Sequence, residues 1–150
     1  MNAAQLPIPR IVLDTNVCLD LFLFHDSACA LLLAALERGE VLALTRDDCR
    51  DEWRRVLHYP QLSIDIVRVP ALEAAFDRLV RRVPAKAAPG EDSLPRCADP
   101  DDQKFLELAL AEGARWLLSK DNELLKLDRR MCSAGLFRIL RPQDWPESIA

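Results

Sequence analysis

Four acidic side chains sit where a folded chain can turn them toward one point. Asp14 directly follows the short apolar run Ile11–Leu13, and Asp121 follows Trp116–Leu118 after Ser119 and Lys120. Asp102 falls just after Asp99-Pro100, in the first turn of an expected helix, while Glu52 lies mid-helix and shares a face with Cys49, Trp53 and Val56. Lone carboxylates on an inner face are costly unless they are paired or bound to a cation. Acids drawn from four separated segments therefore point to a hard divalent cation, which takes oxygen donors. Each acid also has a simpler reading. Asp14 could end a strand or cap the next helix, and Asp121 could cap a helix from Asn122. Asp99 and Asp102 could be N-cap and N3 residues favoured by the helix dipole, and Glu52 could be a solvated edge charge.

The elements that must position these acids follow from the hydrophobic pattern. Ile11–Leu13, Val41–Leu44, Trp116–Leu118 and Phe137–Leu140 read as strands. Leu19, Phe22 and Leu23 repeat at helical spacing, and Ser27 reads as the N-cap of a helix to Arg38 that Gly39 stops. Thr45 with Asp48 resembles a capping box opening a helix to about Leu57. Gln61 to Val69 reads equally as a strand or a helix extension. From Pro70, the residues Leu72, Ala75, Phe76, Leu79, Val80 and Val83 form one amphipathic stripe. Pro84 to Leu94 is a surface loop. Asp99-Pro100 opens a helix that carries Phe105, Leu106, Ala109 and Leu110 and stops at Gly113, and Asn122 to Leu127 is a short helix. Apolar strands alternating with helices predict a parallel sheet covered on both faces, with any ligand site beyond the carboxyl ends of its strands.

Composition narrows the function. The 150 residues suit one domain, and 24 acidic against 20 basic side chains leave a net charge of −4. That balance weighs against a nucleic-acid binder, which ordinarily carries excess Lys and Arg. The longest uncharged apolar run, Ala28–Leu36, is nine residues, well short of the roughly 20 of a membrane helix. The start MNAAQLPIPR does not resemble a secretory signal, so a cytoplasmic protein with no membrane partner is expected. Five scattered cysteines without a C-x-x-C pair, and only two histidines, argue for reduced thiols and against structural zinc. His25 and His58 read as loop residues. There is no Gly-x-Ser-x-Gly elbow and no P-loop.

The segments that carry the acids resemble a known family. Ile11-Val12-Leu13-Asp14-Thr15-Asn16 resembles the opening strand and Asp-Thr-Asn signature of PIN domains. Glu52-Trp53-Arg54-Arg55-Val56-Leu57 followed by Tyr59-Pro60 is similar to the second acidic segment of their bacterial toxin-like subgroup. Asp99 to Glu107 resembles the third, and Leu117-Leu118-Ser119-Lys120-Asp121 the fourth. The likeness runs from about residue 10 to 145, in order and at suitable separations. It implies a single three-layer α/β/α domain with a central, mostly parallel sheet. It also implies a Mg²⁺- or Mn²⁺-dependent ribonuclease, the toxin of a toxin–antitoxin pair, whose partners are RNA and an antitoxin protein.

Residue by residue, the resemblance implies Asp14, Glu52, Asp102 and Asp121 as metal-binding acids, with Asn16 supporting the first. Asp102 is preferred over Asp99 because its spacing to Ala109 matches the family helix. Ser119 and Asp99 are accessory. Glu123 stands where some relatives carry another aspartate, as an accessory ligand or a rival to Asp121. Lys120 replaces a small or polar residue and could pair with a site acid or a phosphate. Two divalent ions about 4 Å apart can bind one phosphodiester, activate water and stabilise the departing 3′ oxygen, with no histidine required. Arg46, Arg50, Arg54 and Arg55 are the remaining RNA-binding candidates. The first three form an i, i+4, i+8 stripe, with a solvated face among Asp47, Asp48 and Asp51 as the alternative.

Two other function classes remain in view. One is a non-catalytic PIN-like RNA- or protein-binding module. The other is a HAD-like phosphatase, which would want Asp-x-Asp where this chain has Asn16. A homodimer through Trp145 or Leu72 stands beside core packing as an account of those residues. Setting the four acids aside leaves acids and bases equal in number. Two bound divalent cations would then return four positive charges where a phosphate must sit, so an acidic total is compatible with RNA.

Overall fold

Segments too apolar to face water on either side must become inner strands. In the computed structural model, which describes residues 7–146, they do so in a sheet of five whose edge member, Val80–Arg82, is the polar exception. The strands are β1 (Arg10–Leu13), β2 (Leu42–Thr45), β3 (Val80–Arg82), β4 (Trp116–Leu118) and β5 (Arg138–Leu140). Their order is β3-β2-β1-β4-β5, and every pairing is parallel. Val12 lies opposite Leu44 on one side and Leu117 on the other. The chain winds outward from β1 through β2 to β3, then returns to place β4 against the free side of β1. The β1–β4 junction is thus the switch point where a crevice opens at the strands' carboxyl ends.

Strand alternation assigns the two helical layers. Ile11, Leu13, Trp116 and Leu118 pack with α1 (Thr15–Phe22), α2 (Ala30–Glu37) and α4 (Val69–Leu79). Val12, Leu117 and Ile139 face α5 (Gln103–Ala111), α6 (Asn122–Leu125) and α7 (Asp128–Ser133). The fold is therefore a three-layer α/β/α domain. Helix α3 (Asp47–Val56) bridges the layers, with Trp53 in the first core and Cys49 in the second. Trp53 stacks on Phe76 at 5.2 Å and meets Phe22 edge-on at 5.9 Å. Contacts of this kind each add about 0.5–1.5 kcal/mol beyond area burial, and here they fix the helix that carries Glu52.

Several local expectations are corrected. The stripe from Leu72 does not continue to Val83: α4 ends at Leu79, and Val80 turns extended to pair with Ala43 as the first residue of β3. Only Val80 of that edge strand is buried, so no alternation betrays it. Gln61 to Val69 is neither strand nor helix extension but two 3₁₀ turns, Pro60–Leu62 and Ile66–Arg68, before α4 starts at Val69. The helix expected from Ser27 opens as a 3₁₀ turn capped by Asp26, whose side chain accepts from the Ala28 N–H. Thr45 ends β2 and forms no capping box; α3 begins after Arg46, and Asp48 accepts from the Cys49 N–H. Helix α7 had no signal because it buries only Met131.

Trp145 and Leu72 are buried in the core and offer no interface. Three of the five free cysteines, Cys18, Cys29 and Cys49, are buried as well. No single described helix is long and apolar enough to cross a membrane, and α1 meets the segment Ser27–Glu37 at a bend of 102°.

Candidate functional site

Asp14 stands where β1 gives way to α1, beside the end of β4. Its N–H donates to the Leu118 carbonyl at 2.9 Å, continuing the β1–β4 ladder by one residue. Its side chain does not cap α1, so the simple capping reading fails here. Instead Oδ2 accepts from the Ser119 hydroxyl at 2.7 Å. Ser119 is fully buried, and its oxygen also accepts the Asp121 N–H at 3.0 Å. One hydroxyl thus ties the loop after β4 to the acid after β1. The support expected from Asn16 is supplied by Ser119; Asn16 itself is exposed on the rim of the cleft.

The other acids arrive from separate elements. Asp121 does cap α6, through Oδ1 and the Glu123 N–H at 2.9 Å. Asp99 caps the 3₁₀ turn Pro100–Asp102 through the Asp101 N–H, whereas Asp102, at the N-cap of α5, forms no side-chain cap. Glu52 has both oxygens engaged. Oε2 accepts from the Thr15 hydroxyl, and Oε1 lies 2.8 Å from Lys104 Nζ. Asp14, Asn16, Glu52, Asp99, Asp102 and Asp121 line one cleft of about 310 Å³, together with Thr15, Arg55, Val56, Tyr59 and Asp101. Two further residues at this site, Thr15 and Lys104, carry no mark in the sequence as partners of Glu52. Both lie inside the acid-bearing motifs, but they reach Glu52 from elements far apart in the chain.

Crowding of negative charge shows in the electrostatics. Burial pushes the Asp14 carboxyl above the usual carboxylate range; hydrogen bonds from Ser119 and the Thr15 backbone oppose this, and Glu52 and Asp121 add to it. Asp102 is pushed up to about 7, first by burial and then by the charges of Asp14, Asp99, Asp121 and Glu52. Perturbed acids gathered in a cleft are a functional-site signature with a physical cause.

The remaining candidates lie elsewhere. Glu123 is exposed and pairs with Lys126 at 2.9 Å, and it does not line the cleft. Lys120 pairs with Asp20 at 2.9 Å rather than with a site acid. Three of the four arginines are spent in ion pairs: Arg46 with Asp48 and Glu107, Arg50 with Asp77, and Arg54 with Glu73. Arg55 is the one that lines the cleft. His25 and His58 are exposed and outside it.

Among the described residues, no three Asp, Glu, His or Cys side chains already converge to hold an ion. The donor set nevertheless fits Mg²⁺ or Mn²⁺ in kind. It is all carboxylate oxygen, and its mutual repulsion is what a divalent cation would relieve.

A parallel α/β/α sandwich with an acidic cleft at the carboxyl ends of β1 and β4 is the class that the fold and the cleft define. A family model described as PIN domain matches residues 10–123, and the chain belongs to the PIN domain family. Among solved structures, the chain is similar to the crystal structure of VapBC2 from Rickettsia felis bound to a DNA fragment from their promoter. The TM-score is 0.59 at 13% identity, covering 87% of this chain and 96% of that one, a likeness of fold. No curated protein matches the sequence.

Proposed function

We propose that the protein is a Mg²⁺- or Mn²⁺-dependent ribonuclease built on one PIN unit, with its core over about residues 10–145. It acts in the cytoplasm as the toxin of a toxin–antitoxin pair. The observation that carries the nuclease reading is the single cleft shared by Asp14, Glu52, Asp102 and Asp121, in which burial and mutual repulsion raise Asp14 and Asp102. PIN domains are generally nucleases, and family membership supports the same reading. The antitoxin partner is supported by the toxin-like motifs and by a fold neighbour solved as VapBC2 on promoter DNA.

In this reading Asp14, Asp102, Asp121 and Glu52 hold the metal. A divalent ion held there would supply Lewis acidity toward the phosphodiester, the attacking water and the leaving oxygen. The chain supplies orientation. Ser119 fixes the rotamer of Asp14 and the loop of Asp121 through the same oxygen. Arg55 offers a cation to the RNA backbone at the cleft wall, and Tyr59, 41% exposed beside it, offers a ring face on which a base can stack.

Purified protein should cleave a mixed RNA pool, lose that activity in EDTA, and lose it in Asp14→Asn. Metal-independent cleavage, or full activity in that variant, would overturn the mechanism. A non-catalytic PIN-like module is the second reading, favoured by the prior engagement of both Glu52 oxygens. Calorimetric titration with Mn²⁺ separates the two, since such a module shows no binding that depends on Asp14 and Asp121.

A further inference from the structure

Lys104 is built into the acid cluster rather than laid over it. Its side chain is 13% exposed, whereas the other ion-paired lysines, Lys86, Lys120 and Lys126, are 58%, 47% and 69% exposed. The ammonium sits 2.8 Å from Glu52 Oε1 and 2.5 Å from the Asp101 carbonyl, and 5.2 Å from the centre of the Phe105 ring. The Glu52 side chain is itself only 16% exposed. A contact with this many partners is not a rim ion pair of the interchangeable kind.

We propose that Lys104 is a positioning residue that acts as the built-in counter-ion of Glu52, and that metal loading requires this ion pair to give way. The inference rests on the assignment of the cleft acids as metal ligands. A neutral hydroxyl such as Thr15 can share a carboxylate oxygen with a metal ion or rotate aside. An ammonium cannot share it cheaply, because its charge repels the incoming cation across a short distance. Lys104 therefore aligns Glu52 in the metal-free protein and weakens metal binding at the same time. Without it, the cluster would gain one net negative charge and Glu52 Oε1 would be free to ligate.

The test is calorimetric titration of the full chain with Mn²⁺ at pH 8, with thermal melting to confirm folding. Lys104→Met should bind Mn²⁺ about three- to tenfold more tightly than wild type, and Lys104→Arg, which restores the charge, should return to wild-type affinity. Glu52→Gln should weaken binding modestly on its own but erase the gain in the Lys104→Met background. Lys104→Gln makes the same comparison if the methionine variant does not fold. Equal or weaker binding in the charge-removing variants overturns the proposal, as does a gain that survives Glu52→Gln. Asp14→Asn keeps the two levels apart. If it leaves Mn²⁺ affinity intact, the metal-site assignment itself fails. If it removes binding while Lys104→Met gains nothing, only the role of Lys104 fails.

Discussion

Two hollows on this molecule use the same residue types to opposite ends. The larger, about 410 Å³, lies beside the edge strand β3 and is lined by Arg50, Asp77, Arg78, Arg81 and Arg82 among others. There Arg50, Arg78 and Arg82 are each paired with an acid. Arg50 grips Asp77 through two bonds of 2.9 and 2.8 Å and holds its carboxyl below the usual range, Arg82 meets Asp47 at 2.5 Å, and Arg78 meets Glu37 at 3.5 Å. The smaller cleft at the β1–β4 junction gathers carboxylates with Arg55 on its wall and Lys104 paired to Glu52 behind it, and burial raises two of the acids instead of lowering them. Size does not distinguish the candidate site from a dent in the surface. The state of the charge does separate the two hollows, because crowded, part-buried carboxylates cost stability that paired ones do not.

The sharpest way to break that contrast is to neutralise one acid of the small cleft. Asp14→Asn or Asp121→Asn should lower RNA cleavage by at least about a hundredfold, measured as initial rates at saturating Mn²⁺. The Tm of metal-free Asp14→Asn should hold or rise, since an amide oxygen can still accept the Ser119 hydroxyl and no buried charge remains. A destabilised variant would show that Asp14 earns its place structurally.

Titration gives the next largest effect. The Asp102 carboxyl is raised to about 7 in the folded chain, against about 4 when unfolded. The folded state therefore binds this proton more tightly, so its contribution is present below pH 4 and lost as pH rises through 7. Metal-free protein should lose about 1–2 kcal/mol of stability between pH 5 and 8, after screening at a half-buried site. Denaturant melts will show this, and Asp102→Asn should flatten the slope. The paired acids of the large hollow run the other way: Asp77 is depressed, so its contribution is lost only on acidification.

What was legible in the sequence divides along similar lines. Trp116–Leu118 is legible to the residue because all three of its side chains are buried, and Asp14 and Asp121 stand out because each follows such a strand, whereas Glu52 and Asp102 lie on helices and stand out through the family motifs. Strand β3 was missed because Val80 falls on the helical period of α4 while Arg81 and Arg82 face solvent. The basic stripe was visible, but its partners Asp77 and Glu73 lie on α4 and Glu107 on α5, brought near only by tertiary packing. Spacing along one helix reports where a charge points, not what meets it. The same blindness hid Lys104 and Thr15, which reach Glu52 from different helices.

The arginines of α3 supply the smallest effects and the finest test of the contrast. Arg55 and Arg50 are five residues apart on one helix, yet only Arg55 lines the acid cleft, while Arg50 is bound to Asp77. If the paired region is inert toward RNA, Arg50→Ala should leave the salt dependence of binding unchanged and cost only about 0.2–1 kcal/mol of stability. Arg55→Ala should leave stability within about 0.5 kcal/mol and lower the slope of log affinity against log salt by about one phosphate contact, near 0.7 for a single strand. Fluorescence anisotropy with a labelled single-stranded RNA, at several salt concentrations and with an Asp14→Asn background to block cleavage, reads both. A loss of slope in Arg50→Ala equal to that in Arg55→Ala would mean that the ion pairs of α3 open to meet RNA. The boundary between neutralised scaffold and working cleft would then lie on the far side of that helix.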